Sequence, residues 1–264
     1  MPTIQLAKLQ QEAALLSDRF VDPESYLAGV LDLLQTYAVP VHRQGRVKGL
    51  RPVLRTYEVP PPLIKQLQLE ITQQARLFPT EAMQIADGLW AHRSIETRTL
   101  AARLLGVIEA EPLPVAERLA AWAHENREPV LAPELSQHAA LRLAAANPQQ
   151  QIAFAAEWLA TKEPRMQTLA LGTMKTLLSE TDFANLPALF AVLAPVAGDP
   201  DRSLRPDLAD LLAALAKRSP KETEFFLTES LASDNYGAGW VARQVMKVLP
   251  EESRERLRAA MQTR

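Results

Sequence analysis

Between residues 56 and 108 the apolar positions recur with a helical period, and proline or a short polar break divides the run into three. The first pattern spans Pro62–Phe78 and places Leu63, Ile64, Leu67, Leu69, Ile71 and Ala75 along an uneven stripe. The second starts after Pro79. There Thr80 is expected as N-cap, and Glu81 falls in the first turn near the positive end of the helix dipole. The third opens at Ser94, a further expected N-cap, and gathers Leu100, Ala101, Leu104, Leu105 and Ile108 on one face. No helix of this kind buries its apolar face alone, so each must pack on the next.

The same pattern continues in both directions. Upstream, Pro2–Ser17 and Pro23–Val39 read as two helices, with Asp22-Pro23 supplying a cap and a first-turn proline. Downstream, helix openings recur near Ile95, Pro133, Arg165, Ser203 and Gly239, at separations of 38, 32, 38 and 36 residues. That spacing overlaps the roughly 40-residue period of HEAT and armadillo repeats. Partner helices are expected over Pro114–His124, Pro148–Ala160, Phe183–Ala197 and Lys221–Ala232, with Asn-Pro, Glu-Pro, Gly-Asp-Pro and Ser-Pro turns between them. The expected fold is all-α: one right-handed, HEAT-like helical-repeat superhelix (an α-solenoid) over residues 1–264. An N-terminal pair would occupy 1–40 and the repeats 56–250. A polar last helix, Glu251–Met261, would cap the stack within 251–264.

Composition supports helices and removes several chemistries. Apolar residues reach 47% while aromatics stay at 6%, a balance that suits close helix packing better than sheets. Without cysteine, disulfides, thiolate nucleophiles and cysteine metal sites are excluded. The four histidines lack ligand spacing. His124-Glu125 starts like a zinc-protease motif, but Arg127 and Glu128 stand where the second histidine is needed. No metal and no cofactor is expected. The N-terminal stretch does not read as a signal peptide, and no apolar run is long enough to span a membrane, so a cytoplasmic location is expected.

Net charge is −2, which argues against a globally basic nucleic-acid binder but leaves room for a local basic face. The most lopsided run lies at 39–55, where Arg43, Arg46, Lys48, Arg51 and Arg55 occur with no acid before Glu58. It reads either as a solvated connection or as a segment that neutralises phosphates. Of the four tryptophans, Trp122 and Trp158 precede loops and are the candidates for groove aromatics; Trp90 and Trp240 read as packing between repeats.

Several short motifs carry a resemblance. Tyr57-Glu58-Val59, Pro62, Lys65, Leu89-Trp90, Glu96-Thr97-Arg98 and the run Ala101–Leu105 resemble the N-terminal half of the HEAT-like alkylpurine DNA glycosylase family. That family shows Tyr-Gly-Val, a proline, a basic residue, a helix ending in Leu-Trp, and Glu-x-Arg opening the next helix. The resemblance extends over about residues 45–250 and implies a helical-repeat fold that cradles duplex DNA. It also implies a catalytic carboxylate beside tryptophans, to stabilise the positive sugar as a damaged base leaves.

The catalytic positions of this chain depart from that pattern. Arg127 stands where the family has a tryptophan and Leu131 where it has an aspartate, with Glu134 three residues out of register. Asp210 replaces a second tryptophan, and the family arginine is represented by Arg165, or by Thr168 in an alternative register. Two readings follow. One is a DNA-backbone or protein-binding scaffold lacking the full catalytic set, with Arg43, Arg46, Lys48, Arg51, Arg55 and Arg165 as phosphate contacts. The other is an active 3-methyladenine or 7-methylguanine type glycosylase using Glu134.

Overall fold

The computed structural model describes residues 6–38, 53–179, 183–232 and 235–262. Among these residues the chain is helical throughout and has no strand; its extended backbone pairs only in an isolated parallel bridge between Arg55 and Ser94. It clusters into two compact units, Met1–Arg142 and Leu143–Arg264.

The first unit holds α1 (Leu6–Ser17), α2 (Pro23–Thr36), α3 (Pro61–Leu77), α4 (Pro79–Ala91), α5 (Ile95–Leu105) and α6 (Pro112–Glu125). A 3₁₀ turn at Pro129–Leu131 and a π-helical segment, Glu134–Ala139, follow. α1, α3, α5 and the π-helical segment pack side by side, and α2 packs on α4, so the helices form two layers. α7 (Leu141–Ala146) carries the chain across the boundary between the units. The second unit holds α8 (Pro148–Ala160), α9 (Pro164–Ser179), α10 (Leu186–Ala197), α11 (Arg205–Arg218), α12 (Pro220–Leu231), α13 (Tyr236–Val245) and α14 (Glu251–Gln262). Here α9, α11 and α13 form one layer and α8, α10, α12 and α14 the other.

Proline sets most of the starts. It is the first residue of α2, α3, α4, α6, α8, α9 and α12, where its missing N–H is no loss and its fixed φ already suits a helix. Asp22, Asn147 and Asn185 add side-chain caps, accepting from Ser25 N, Gln150 N and Ala188 N. Two expectations change. Thr80 is not the cap of α4, because Pro79 itself takes the first helical position and the helix begins at Phe78-Pro79. In α3 the buried line is Leu63, Leu67, Ile71 and Ala75, every fourth residue, while Leu69 is half exposed.

The expected helix opening at Pro133 is a π-helical segment rather than a regular α-helix. Gly106, just after α5, lies so close to the His138 carbonyl that any Cβ there would collide with it. Close approach of that backbone to α5 and the widened turn occur together. No helix among the described residues is long and apolar enough to cross a membrane.

Candidate nucleic-acid interface

The turn between α4 and α5 is built by three side chains. Ser94 caps α5 through a capping box: its Oγ accepts from Thr97 N at 3.1 Å and Thr97 Oγ1 accepts from Ser94 N at 3.3 Å. Glu96, buried in the first turn of α5, turns one carboxylate oxygen to the upstream chain. Oε1 accepts from Thr56 Oγ1 at 2.8 Å, Tyr57 N at 2.9 Å and Glu58 N at 2.8 Å. The helix dipole favours the negative charge at this end. These bonds hold Glu58 in the left-handed region, at φ 51. Arg98, one turn later, donates from Nε to the Trp90 carbonyl at 3.1 Å and so satisfies an acceptor at the end of α4.

Arg98 is only 5% exposed, and its charge is balanced locally. Its guanidinium lies 4.2 Å from the centre of the Trp90 ring, and Trp90 in turn stacks on Trp122 at 4.6 Å with the rings 4° from parallel. Glu125 Oε2 accepts from Trp90 Nε1 at 3.1 Å and lies 3.5 Å from Arg98 Nη2. Burial lowers the Arg98 pKa and the neighbouring Arg93 adds to this, while Glu125 and Glu128 oppose it. The guanidinium remains the charged form at neutral pH, as arginine does in proteins generally.

Around this stack opens a cleft of about 560 Å³. Val53, Leu54 and Ala91 line it together with Arg93, Arg98, His124, Glu125 and Arg127. Arg93 follows α4 in the left-handed region, φ 60, is exposed, and makes no side-chain hydrogen bond or ion pair among the described residues. Arg127 donates from Nη1 to the carbonyls of His124 at 2.8 Å and Asn126 at 3.3 Å, which fixes the guanidinium. Asn126 and Glu128 lock the same loop by exchanging two hydrogen bonds, and Glu128 Oε1 accepts from Leu54 N at 2.6 Å. Nearby, Arg55 lies 4.5 Å over the Tyr57 ring, and Tyr57 stacks on His92. Burial, aided by Arg55, lowers the His92 pKa.

The residues expected from the sequence fall in several places. Arg43, Arg46, Lys48 and Arg51 lie outside the described residues; Arg55 is the described end of that basic run. Arg165, in the first turn of α9, is 3.7 Å from Glu163. Trp122 and Trp158 are both packed inside their units, Trp122 on Trp90 and Trp158 beside Phe154 at 6.1 Å. Glu134 is held by Arg103 through two bonds of 2.9 and 2.8 Å, and Arg103 also donates to Gln68 at 2.7 Å. Leu131, at the family's aspartate position, is fully buried. Asp210 is exposed and 3.8 Å from Lys175, while Thr168 donates to Asp207 at 2.9 Å. Burial raises the Asp207 pKa against that hydrogen bond.

The convergence of Arg93, Arg98 and Arg127 was not foreseen. Arg98 belonged to a recognised motif, but Arg93 and Arg127 stand 34 residues apart in the chain and share no local pattern. Among the described residues no group of three or more histidines and carboxylates is arranged to hold a metal ion.

These features define a protein that is helical over its described residues, with an arginine-lined cleft that Val53 and Leu54 help to line. A family model described as DNA alkylation repair enzyme matches residues 31–254, and the chain belongs to that family. No curated protein and no solved structure matches it.

Proposed function

We propose that this protein binds duplex DNA through its phosphate backbone and lacks the full set of groups for base release. One observation carries the reading: three arginines from separate elements meet in one cleft, and Val53 and Leu54, at the end of the basic run, line the same cleft. Arginine clustered beside a basic segment is what phosphate neutralisation needs, whatever the net charge of the chain. Arg55 and Arg165 are further contacts under this reading, as are Arg43, Arg46, Lys48 and Arg51. The HEAT-like superhelical stack with a concave groove, and a cytoplasmic location, belong to the same proposal.

The alternative, an alkylpurine glycosylase acting through Glu134, finds less support. A carboxylate that stabilises a developing sugar cation must face it unpaired, and Glu134 is already engaged by a bidentate guanidinium. Glu125, the acid in the cleft, is drawn to Arg98 and Trp90.

Fluorescence anisotropy of a labelled duplex across a salt series tests the reading, with one arm carrying an N-alkylated purine. The expected result is salt-sensitive binding, similar for both duplexes, with no base released. Lesion-selective binding with base release would instead establish the glycosylase. Absence of binding at low salt would remove DNA and leave the protein-partner form of the scaffold.

A further inference from the structure

We propose that the cleft between α4, α5 and the end of α6 is a seat for a phosphomonoester, such as the terminal phosphate at a DNA end or nick. This rests on the DNA reading above for the source of the ligand, but the chemistry comes from the cleft itself. Arg93, Arg98 and Arg127 line it and Glu125 is the one carboxylate among its lining residues, so guanidinium groups outnumber carboxylates there three to one. An N-alkylated purine is itself cationic and would be repelled there. An internal backbone phosphodiester can be met by the same cluster, but it carries a single charge and leaves part of the converging donor set unused. A phosphomonoester carries between −1.5 and −2 near neutral pH and presents three acceptor oxygens. That charge and that acceptor count match a converging set of guanidinium groups better than a linear one does.

The donors are in place. Arg98 uses Nε on the Trp90 carbonyl and Nη2 on Glu125, and Arg127 uses Nη1 on two backbone carbonyls. Nη1 of Arg98 and both Nε and Nη2 of Arg127 are left for a ligand, and so is the whole fork of Arg93. The two fixed arginines are held before any ligand arrives, so little side-chain entropy is lost on binding. Arg93 is presented from a left-handed backbone, a conformation an arginine adopts at some cost.

The test compares two otherwise identical nicked duplexes, one with a 5′-phosphate and one with a 5′-hydroxyl at the nick. The phosphorylated duplex is expected to bind about tenfold more tightly. Arg93→Gln should weaken both and bring their ratio to about one. A ratio of one in the native protein, with both duplexes still bound, overturns the phosphomonoester seat and leaves the DNA reading standing. If neither duplex binds, the DNA reading falls and tryptophan fluorescence decides the cleft, since Trp90 lies against Arg98. A saturable change with a deoxynucleoside 5′-monophosphate but not with the nucleoside, lost in Arg93→Gln, sustains the seat. No saturable change with either compound overturns it.

Discussion

The turn from α4 to α5 and the turn from α8 to α9 are the same device built twice, 69 residues apart. In each, a side chain in the second helix reaches back to the carbonyl eight residues earlier, at the end of the first. Arg98 Nε donates to Trp90 O at 3.1 Å, and Gln167 Nε2 donates to Leu159 O at 3.2 Å. In each, a basic residue after the first helix sits in the left-handed region: Arg93 at φ 60 and Lys162 at φ 56. Both reaching side chains are buried, at 5% and 7% exposure. The difference is charge. A neutral amide closes the second turn without a counter-ion, so the backbone does not require the guanidinium found in the first. Burying that charge makes the first turn depend on Trp90 and Glu125, a cost the second avoids. Under the DNA reading proposed above, the charge of Arg98 serves the cleft rather than the fold.

The largest expected effect tests what else the first turn does. Glu96 and Arg165 occupy equivalent places, and Glu96, a carboxylate, gathers three hydrogen bonds from an upstream segment. Glu96→Ala leaves the amides of Tyr57 and Glu58 without their acceptor and is expected to cost about 3 kcal/mol, since a lost charged partner for buried groups costs more than an ordinary hydrogen bond. Arg165→Ala removes a partly exposed side chain that pairs with Glu163, and should cost less than Glu96→Ala, under about 1 kcal/mol. Denaturant unfolding of the two variants measures both. Equal losses would break the distinction between the turns.

Arg98 comes next. Arg98→Ala strips the Trp90 carbonyl of its donor and opens a void beside the stacked rings, for about 2 kcal/mol, discounted because Glu125 is largely solvated. Arg98→Gln converts the first turn into the second. It should cost less than about 1 kcal/mol, because an amide still reaches the carbonyl. DNA binding separates these effects: Arg98→Gln should lower the slope of log affinity against log salt by about one unit while the protein stays folded. A Gln variant as unstable as the Ala variant would mean that the charge does hold the turn.

These pairs also show what the sequence could reveal. Helix starts were legible because proline and Ser94 act through their nearest neighbours. Thr80 misled because Pro79 takes the first helical position, which moves the N-cap back to Phe78 and leaves Thr80 inside the first turn. The family-like Tyr57-Glu58-Val59 held a further clue. The pattern has glycine where this chain has Glu58, and that residue is left-handed, the conformation glycine adopts freely. The cleft was largely illegible. Glu96-Thr97-Arg98 marked one of its residues, but Arg93 and Arg127 meet only because α6 returns the chain beside the end of α4. Stacking of Trp122 on Trp90 was equally invisible, since a helix-end tryptophan reads alike whether it packs inward or lines a groove.

The smallest effect is the sharpest discriminator. Arg93 and Lys162 share a left-handed backbone, so glycine at either position relieves similar strain and loses similar side-chain contact. Arg93→Gly and Lys162→Gly should therefore shift stability by the same sign and by only about 0.5 kcal/mol, the relief being partly offset by the freer unfolded chain. Their effects on DNA should diverge. Arg93 lines the cleft and has no side-chain partner to lose, so its removal should lower affinity severalfold at low salt with the fold intact. Lys162 lies outside the lining of that cleft, and its removal should leave affinity within about twofold, the range expected for a cation that contacts no phosphate. Thermal melts and salt-series anisotropy on the same two variants read both quantities. If both glycine variants lose affinity alike, phosphate contact belongs to the repeated turn in general, and the charge of Arg98 no longer distinguishes the first.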